Sequence, residues 1–153
     1  MLISNIIIIG ADSFIGKYLL SFYQKKGNAV GTSRRKNSNY IYFDLGSPSF
    51  DTFPVFEYQS VGIICAAISK VDVCEYQKET SFAINVTGTK TLLSYFKENK
   101  IFPIFLSSDY VFDGETGNYT EQDTPNPITE YWNHKFIIEQ FIQDTFKECN
   151  FLI

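Results

Sequence analysis

The chain opens on a β-branched run from Asn5 to Ile9 that is too short for a helix. Such a run predicts a strand covered on both faces, as in a parallel sheet. After a glycine and a short polar loop, Ile15, Tyr18, Leu19 and Phe22 recur at helical spacing. They carry a helix to about Lys26, where Gly27-Asn28 stops it. Ala29–Ser33 and Asn39–Phe43 read as the second and third strands, the latter ended by Asp44. Residues 46–60 mix proline, serine and aromatic residues with no usable period. Val61–Ala66 reads as the fourth strand and Ile101–Ser107 as the fifth. Between them Phe82, Val86, Thr89, Leu93 and Phe96 mark one face of a long helix ending near Asn99. Gly114–Pro127 carries two glycines, two prolines and many polar groups, the composition of a long loop. Phe136, Ile137, Phe141, Ile142 and Phe146 define a last amphipathic helix, and 150–153 resembles the opening of a sixth strand.

Strands alternating with helical patterns predict βαβ units, hence an α/β fold with a doubly wound parallel sheet and helices on both faces. In such sheets the ligand sits at the carboxyl ends of the strands. The loops after Ile9, Ser33, Cys65 and Ser107 should therefore converge on one crevice. At 153 residues the expectation is a single NAD(P)-binding domain of the Rossmann type, cut off within strand six.

Composition narrows the function classes. Apolar residues make up 44% and charged residues 20%, which fits neither a disordered chain nor a membrane-spanning one. A formal charge of -4 without a basic tract leaves no footprint for a nucleic-acid backbone. Cys65, Cys74 and Cys149 form no CxxC pair or metal-ligand spacing, so they read as reduced thiols of a cytoplasmic protein. The opening MLISNIIIIG lacks a basic leader and a small-residue cleavage site.

Candidate chemistry starts at the loop between the first strand and first helix. Gly10 allows a tight turn and Gly16 a close approach of helix to strand, so backbone amides at the helix start can face a pyrophosphate. The loop residues Gly10, Asp12, Ser13, Phe14, Ile15 and Gly16 are thus the first cofactor-binding set. Ser13 stands where the usual fingerprint has a further glycine. At the end of strand two an NAD site expects a carboxylate for the ribose hydroxyls. Here Ser33-Arg34-Arg35 offers two guanidinium groups instead, which predicts NADP(H) in preference to NAD(H).

Further along, Ser107-Ser108-Asp109-Tyr110-Val111-Phe112-Asp113-Gly114, then Tyr119-Thr120-Glu121, Asp123, Pro125-Asn126-Pro127 and Tyr131 with Lys135 resemble the extended short-chain dehydrogenase/reductases, in particular the dTDP-4-dehydrorhamnose reductase branch. Ala66-Ala67, Val71-Asp72, Cys74-Glu75 and Asn85-Val86-Thr87-Gly88-Thr89 fit the same branch in order. The resemblance implies that Tyr131 is the acid for carbonyl reduction, that Lys135 lowers the phenol's pKa and binds the nicotinamide ribose, and that Ser108 holds the reacting oxygen. It implies Asp44, with Leu45 beside it, at the adenine, and Ala66-Ala67 behind adenosine and ribose. Elementary chemistry agrees: a phenol of pKa about 10 needs a nearby cation to exchange its proton readily near neutrality. A lysine at i+4 on one helix face can supply it.

Three substitutions and the length depart from that pattern. Ser13 adds bulk at the pyrophosphate loop, and Trp132 and His134 flank the proposed pair where small residues are expected, so they could block the substrate side. His134, the single histidine, is expected in a partly exposed structural or surface role. Members of the family also carry a carboxyl-terminal substrate region beyond the point where this chain stops. Three functions follow: NADPH-dependent reduction of a 4-keto group on a nucleotide-activated sugar, a non-catalytic NADP-binding regulatory or assembly subunit, or an inactive fragment of a larger enzyme. The expected partners are a nucleotide-sugar substrate and a second copy of the chain at an exposed sheet edge, with no nucleic acid and no membrane.

Overall fold

A computed structural model of the chain describes residues 5–36, 38–54 and 60–147. Five strands, β1 (Asn5–Ile9), β2 (Asn28–Ser33), β3 (Ile41–Tyr42), β4 (Ser60–Ile64) and β5 (Ile101–Phe105), form one sheet in the order β3-β2-β1-β4-β5. Every adjacent pair is parallel. The helices are α1 (Phe14–Gln24), α2 (Val71–Tyr76), α3 (Lys78–Phe82), α4 (Thr89–Glu98) and α5 (Glu130–Thr145). A π-helical segment, Ala83–Gly88, joins α3 to α4 without a break, and a single 3-10 turn spans Asp109–Val111. The expected strand over 150–153 and Cys149 lie outside the described residues.

The isoleucine run of β1 is central because both of its faces are needed. Ile7 and Ile9 point into a core with Phe43, Leu45, Ile64, Leu92, Leu93, Phe96, Ile138 and Ile142. Ile6 and Ile8 point the other way, to Ala11, Leu20, Ala29, Val61 and Ile63. That alternation is the two-residue period of a strand meeting a helical layer on each side. Gly62 in β4 makes room for the larger layer: a Cβ there would lie 2.1 Å from the Phe96 ring, which is fully buried.

Local structure departs from the sequence reading in three places. On α1 the buried residues are Gly16 and Leu20, whereas Phe14, Ile15, Tyr18 and Phe22 are exposed. The reason is the glycine contact at the helix start: a Cβ on Gly16 would sit 2.3 Å from the Gly10 carbonyl oxygen, so this edge of the helix is pressed onto the loop. The stretch after β3 is anchored by aromatic stacking. Phe50 lies flat on Tyr95 with centroids 4.0 Å apart, and Phe53 packs on Phe43 at 4.7 Å. Third, helical structure begins at Val71, well before the periodic positions that mark α4. Among the described residues no helix is long and apolar enough to cross a membrane.

Candidate functional site

The strand order reverses at β1, between β2 on one side and β4 on the other, and the loop after β1 is held there by its neighbours. Gly10 takes φ +81°, a conformation that side chains rarely adopt, and a Cβ on it would come within 2.8 Å of the Ala66 Cβ. Thr32 of β2 is buried and ties the turn twice. Its hydroxyl accepts from the Gly10 amide at 3.3 Å and its carbonyl from the Ala11 amide at 2.8 Å. The sequence reading did not single out Thr32, because its role depends on parallel pairing across the sheet.

Ser13 does not simply add bulk to this loop. It is the N-cap of α1, and its hydroxyl oxygen accepts from the Gly16 amide at 3.1 Å. The cap satisfies one of the four amides that a helix start leaves without an intrahelical acceptor. Those amides, with the helix dipole, favour an anion at the opening of α1.

Beside the loop lies a cleft of about 590 Å³. Of the residues expected at the cofactor, Gly10, Asp12, Ser13, Arg34, Arg35, Asp44, Leu45, Ala66 and Ala67 line it. Phe14, Ile15, Gly16, Ser33 and Lys135 do not. Ser33 is buried and acts one step back, its hydroxyl accepting from the Arg35 amide at 3.0 Å and so shaping the turn that carries both arginines. Asp44 folds onto its own turn, with Oδ1 accepting from the Gly46 amide at 2.9 Å. The sequence reading missed the far wall, which is built from Ile68, Ser69, Lys70, Val73, Gln77, Thr80 and Ile84. Its signal was the short helical pair α2–α3, which has too few turns to announce itself by periodicity.

That wall is fixed from within. Asn85, on the π-helical segment, holds both backbone groups of Ile68: Oδ1 accepts from the Ile68 amide at 2.8 Å and Nδ2 donates to its carbonyl at 2.9 Å. The same Nδ2 lies 3.3 Å from His134 Nδ1. Because the asparagine amide is oriented by Ile68, His134 Nδ1 is the acceptor and its proton sits on Nε2. His134 is buried, at 2% exposure, not partly exposed as expected. Burial lowers its pKa below the ordinary value, against the pull of Glu130 and Glu75.

The three residues expected to perform chemistry are arranged differently from the expectation. Ser108, Tyr131 and Lys135 lie outside the lining of the cleft. Ser108 caps the 3-10 turn, its oxygen accepting from the Tyr110 amide at 3.2 Å while the hydroxyl reaches Asp109 Oδ1 at 3.2 Å. The Lys135 ammonium is buried, donates to the Leu106 carbonyl at 2.5 Å and sits 4.4 Å from the centre of the Phe105 ring. It lies 5.5 Å from the centre of the Tyr131 ring. Burial lowers Lys135 to about 8, opposed by Cys65 and Glu139. The Tyr131 phenol is raised above its ordinary value, by burial first and by Cys74 second. The direction is opposite to the lowering expected from Lys135. Trp132 stacks on Tyr110 with centroids 4.5 Å apart, which takes the indole to the 3-10 turn.

The residues present therefore fit the adenosine and diphosphate half of a dinucleotide. The Gly10 and Gly16 cradle would be filled by any Cβ, the α1 start offers amides, and cations stand on the rim. Of the groups expected on the nicotinamide side, Ser108 and Lys135 are hydrogen-bonded within the protein.

A glycine turn leading from the central strand of a parallel sheet into a capped helix, over a cleft where the strand order reverses, defines a nucleotide-binding domain of the Rossmann type. The chain belongs to the RmlD substrate binding domain family, which it matches over residues 4–152. It is thus an extended short-chain dehydrogenase/reductase nucleotide-binding module with dTDP-4-dehydrorhamnose reductase-like relatives. It is 33% identical over 144 residues to "Probable low-salt glycan biosynthesis reductase Agl14" of Haloferax volcanii, covering 90% of this chain and 48% of that protein. It is 39% identical over 134 residues to methionine adenosyltransferase 2 subunit beta of Danio rerio, covering 86% of this chain and 41% of that one. A hypothetical dTDP-4-dehydrorhamnose reductase from Sulfolobus tokodaii superposes with a TM-score of 0.78 at 30% identity, over 90% of this chain and 51% of that chain. The chain thus spans less than half the length of these two curated relatives.

The expected preference for NADP(H) over NAD(H) is overturned. Among solved structures of this fold, MoeE5 and a UDP-glucuronic acid 4-epimerase from Bacillus cereus hold NAD, against NADP in a dTDP-4-dehydrorhamnose reductase from Bacillus anthracis. The physical reason in this chain is that one member of the guanidinium pair is engaged. Arg35 Nε is 3.3 Å from Asp12 Oδ2, so a carboxylate of the glycine loop already occupies one of the two cations counted on for a phosphate.

Proposed function

We propose that this chain is a nucleotide-binding module with a regulatory or assembly role and no hydride chemistry of its own. The observation that carries the reading is the separation of binding from chemistry. Nine of the expected nucleotide contacts line one cleft, while Ser108, Tyr131 and Lys135 stand outside it. Ser108 and Lys135 hydrogen-bond to the protein's own backbone. A phenol pushed up by burial is a poorer partner for proton exchange near neutrality than one drawn down by a cation. A relative named as a subunit, methionine adenosyltransferase 2 subunit beta, supports the same reading. The test is oxidation of NADH or NADPH by the purified chain with dTDP-4-dehydrorhamnose. We expect no turnover above background in the native chain or in Tyr131→Phe. Turnover that Tyr131→Phe abolishes overturns the proposal.

A second reading is reduction of a keto group on a nucleotide-activated sugar. Two observations favour it: Lys135 remains beneath the Tyr131 ring at i+4, and a relative at 33% identity is named a reductase. The same assay separates the two readings.

A further inference from the structure

We infer that the outward face of α1 docks onto the acidic segment 109–128 of a second copy of this chain, head to tail. That contact goes beyond the nucleotide-binding reading above and holds whether or not the chain performs hydride chemistry.

α1 buries Gly16 and Leu20 and turns a row of rings the other way. Phe14, Tyr18 and Phe22 follow one another at four-residue spacing, which keeps them on one side of a helix. Phe14 is 79% exposed and Tyr18 69%, and Phe22 and Ile15 are exposed beside them. Phe14 meets Tyr18 edge to face with centroids 5.4 Å apart, and Lys26 Nζ lies 4.2 Å from the centre of the Phe22 ring. Single apolar side chains on a surface are ordinary, but a contiguous row of aromatic ones marks a place where another surface binds.

Charge identifies the occupant. Residues 13–43 hold six basic side chains, Lys17, Lys25, Lys26, Arg34, Arg35 and Lys36, and no Asp or Glu. Residues 101–134 hold six carboxylates, Asp109, Asp113, Glu115, Glu121, Asp123 and Glu130, and no Lys or Arg. Among the described residues Lys17, Lys25 and Lys26 form no ion pair, nor do Glu115, Glu121 and Asp123, and all six are exposed. The acidic segment carries exposed apolar groups of its own, Tyr110 and Ile128, with Tyr110 stacked on Trp132. It is also held in shape. Asp113 accepts from the Asn126 side chain at 2.9 Å, Asp123 from the Thr120 amide at 2.7 Å, and the Asn126 amide donates to the Val111 carbonyl at 2.9 Å. A segment already ordered loses little freedom on docking.

The two faces do not meet within one chain. α1 packs on β1 and β2, with Leu20 on the side of the sheet to which Ile6 and Ile8 point. The acidic segment leads into α5, whose Ile138 and Ile142 join the core on the other side, with Ile7 and Ile9. Each chain therefore keeps its α1 face free for the acidic segment of a neighbour. Pairing α1 with α1 across a two-fold axis would instead set Lys17, Lys25 and Lys26 against their own copies, and like charges oppose that arrangement. A head-to-tail contact leaves one unused face at each end, so association continues past the dimer.

Sedimentation equilibrium tests this. The weight-average mass should climb from the 17.6 kDa monomer past the dimer as concentration rises at low salt. Raising salt from about 0.1 M to about 1 M shortens the screening length from about 10 Å to about 3 Å and should weaken association about tenfold. Lys17→Glu/Lys25→Glu/Lys26→Glu and Glu115→Lys/Glu121→Lys alter exposed side chains only, and circular dichroism checks that both variants fold. Each alone should stay monomeric, and an equimolar mixture should associate again, because each offers the charge that the other lacks. Tyr18→Ser should weaken association about tenfold and leave its salt dependence in place. A native chain that stays monomeric, or forms a strict dimer at every concentration, overturns the inference. So do variants that associate alone as well as the native chain does, and a mixture that restores nothing. A monomer that binds phosphatidylglycerol vesicles through the same lysines makes a lipid surface the occupant and overturns it too. The NADH and NADPH oxidation assay tests the earlier reading separately, so the two can fail independently.

Discussion

Replacing Lys135 by methionine should change how the stability of this protein depends on pH. Lys135 is 8% exposed, and burial lowers its pKa from the ordinary 10.5 to about 8. That difference means the charged form is disfavoured in the folded chain by about 3 kcal/mol relative to the neutral form. Because the folded pKa lies below the unfolded one, the unfolded chain holds the extra proton between about 8 and 10.5. Stability therefore rises with pH through that window and falls back as pH drops to neutrality. Between pH 7 and pH 10 the Lys135 contribution alone should raise unfolding free energy by about 2–3 kcal/mol.

Methionine keeps most of the aliphatic stem and removes the charge. At pH 7 it relieves the ammonium's burial, but it leaves the Leu106 carbonyl without its donor, a loss of about 1–3 kcal/mol. The net effect at pH 7 is small, from neutral to about 2 kcal/mol of stabilisation, as for other buried charges replaced by apolar groups. Its pH dependence is the sharper observable. Urea unfolding followed through Trp132, the only tryptophan, at pH 7 and pH 10 measures it in both proteins. The Cys65 thiol, raised by burial to about 11 against the pull of Lys135, stays mostly protonated at pH 10, and loss of that pull in Lys135→Met raises it further. The native chain should become more stable relative to Lys135→Met over that interval. Equal changes in the two proteins would mean that Lys135 reaches water and is free to meet a ligand.

Gly62→Ala should destabilise the fold by about 1–3 kcal/mol, since its Cβ would lie 2.1 Å from the buried Phe96 ring; an unchanged denaturation midpoint would show that the ring has room to retreat. His134, the single histidine, should appear by nitrogen NMR as the Nε2–H tautomer with a pKa below 6.5, so that folding weakens as pH falls below that value; an Nδ1–H signal would contradict the Asn85 contact. Asp113 is held near pKa 2 by hydrogen bonds from the Tyr119 hydroxyl, the Asn126 side chain and the Glu115 amide. Its contribution is present above about 3.8 and lost as pH falls through about 2, and Asp113→Asn should speed protease cleavage between Gly114 and Pro127; an unaltered cleavage rate would count against that role.

What could be read from the sequence is what local chemistry determines. The β1 run announces a strand with two covered faces because four isoleucines leave no polar face to solvate, and Gly10 and Gly16 announce a loop in which no side chain fits. What could not be read depends on partners far along the chain. The buried edge of α1 is set by the Gly10 carbonyl, so the more conspicuous apolar positions Tyr18 and Phe22 end up exposed. The burial of His134 depends on Asn85, 49 residues away, and the placement of Trp132 on Tyr110. The stretch after β3 had no period to find, because it is ordered by rings stacking on Tyr95 of α4. Arg34 and Arg35 were visible as charges, but Asp12 as the partner of Arg35 was not, since the two are joined only when β1 and β2 lie side by side.

The two halves of the expected site also differ in what they are made of. The half that faces a nucleotide's diphosphate is mainly backbone: the Gly10 turn, the amides at the start of α1 and the Thr32 contacts that hold them. Such an arrangement is a consequence of the fold, and it persists as long as the sheet forms and no Cβ is added. The half expected to do chemistry consists of three side chains on two separate segments, each able to find another partner. Lys135 has the Leu106 carbonyl and Ser108 the Tyr110 amide, and neither bond disturbs the sheet. The two halves are therefore held by different means, one by backbone and the other by side chains, so a side-chain substitution can alter the second without disturbing the sheet. Asn85 holds Ile68, on the wall of the cleft, and His134 lies behind it with Nδ1 3.3 Å from Asn85 Nδ2, so buried polar groups brace the first half from within.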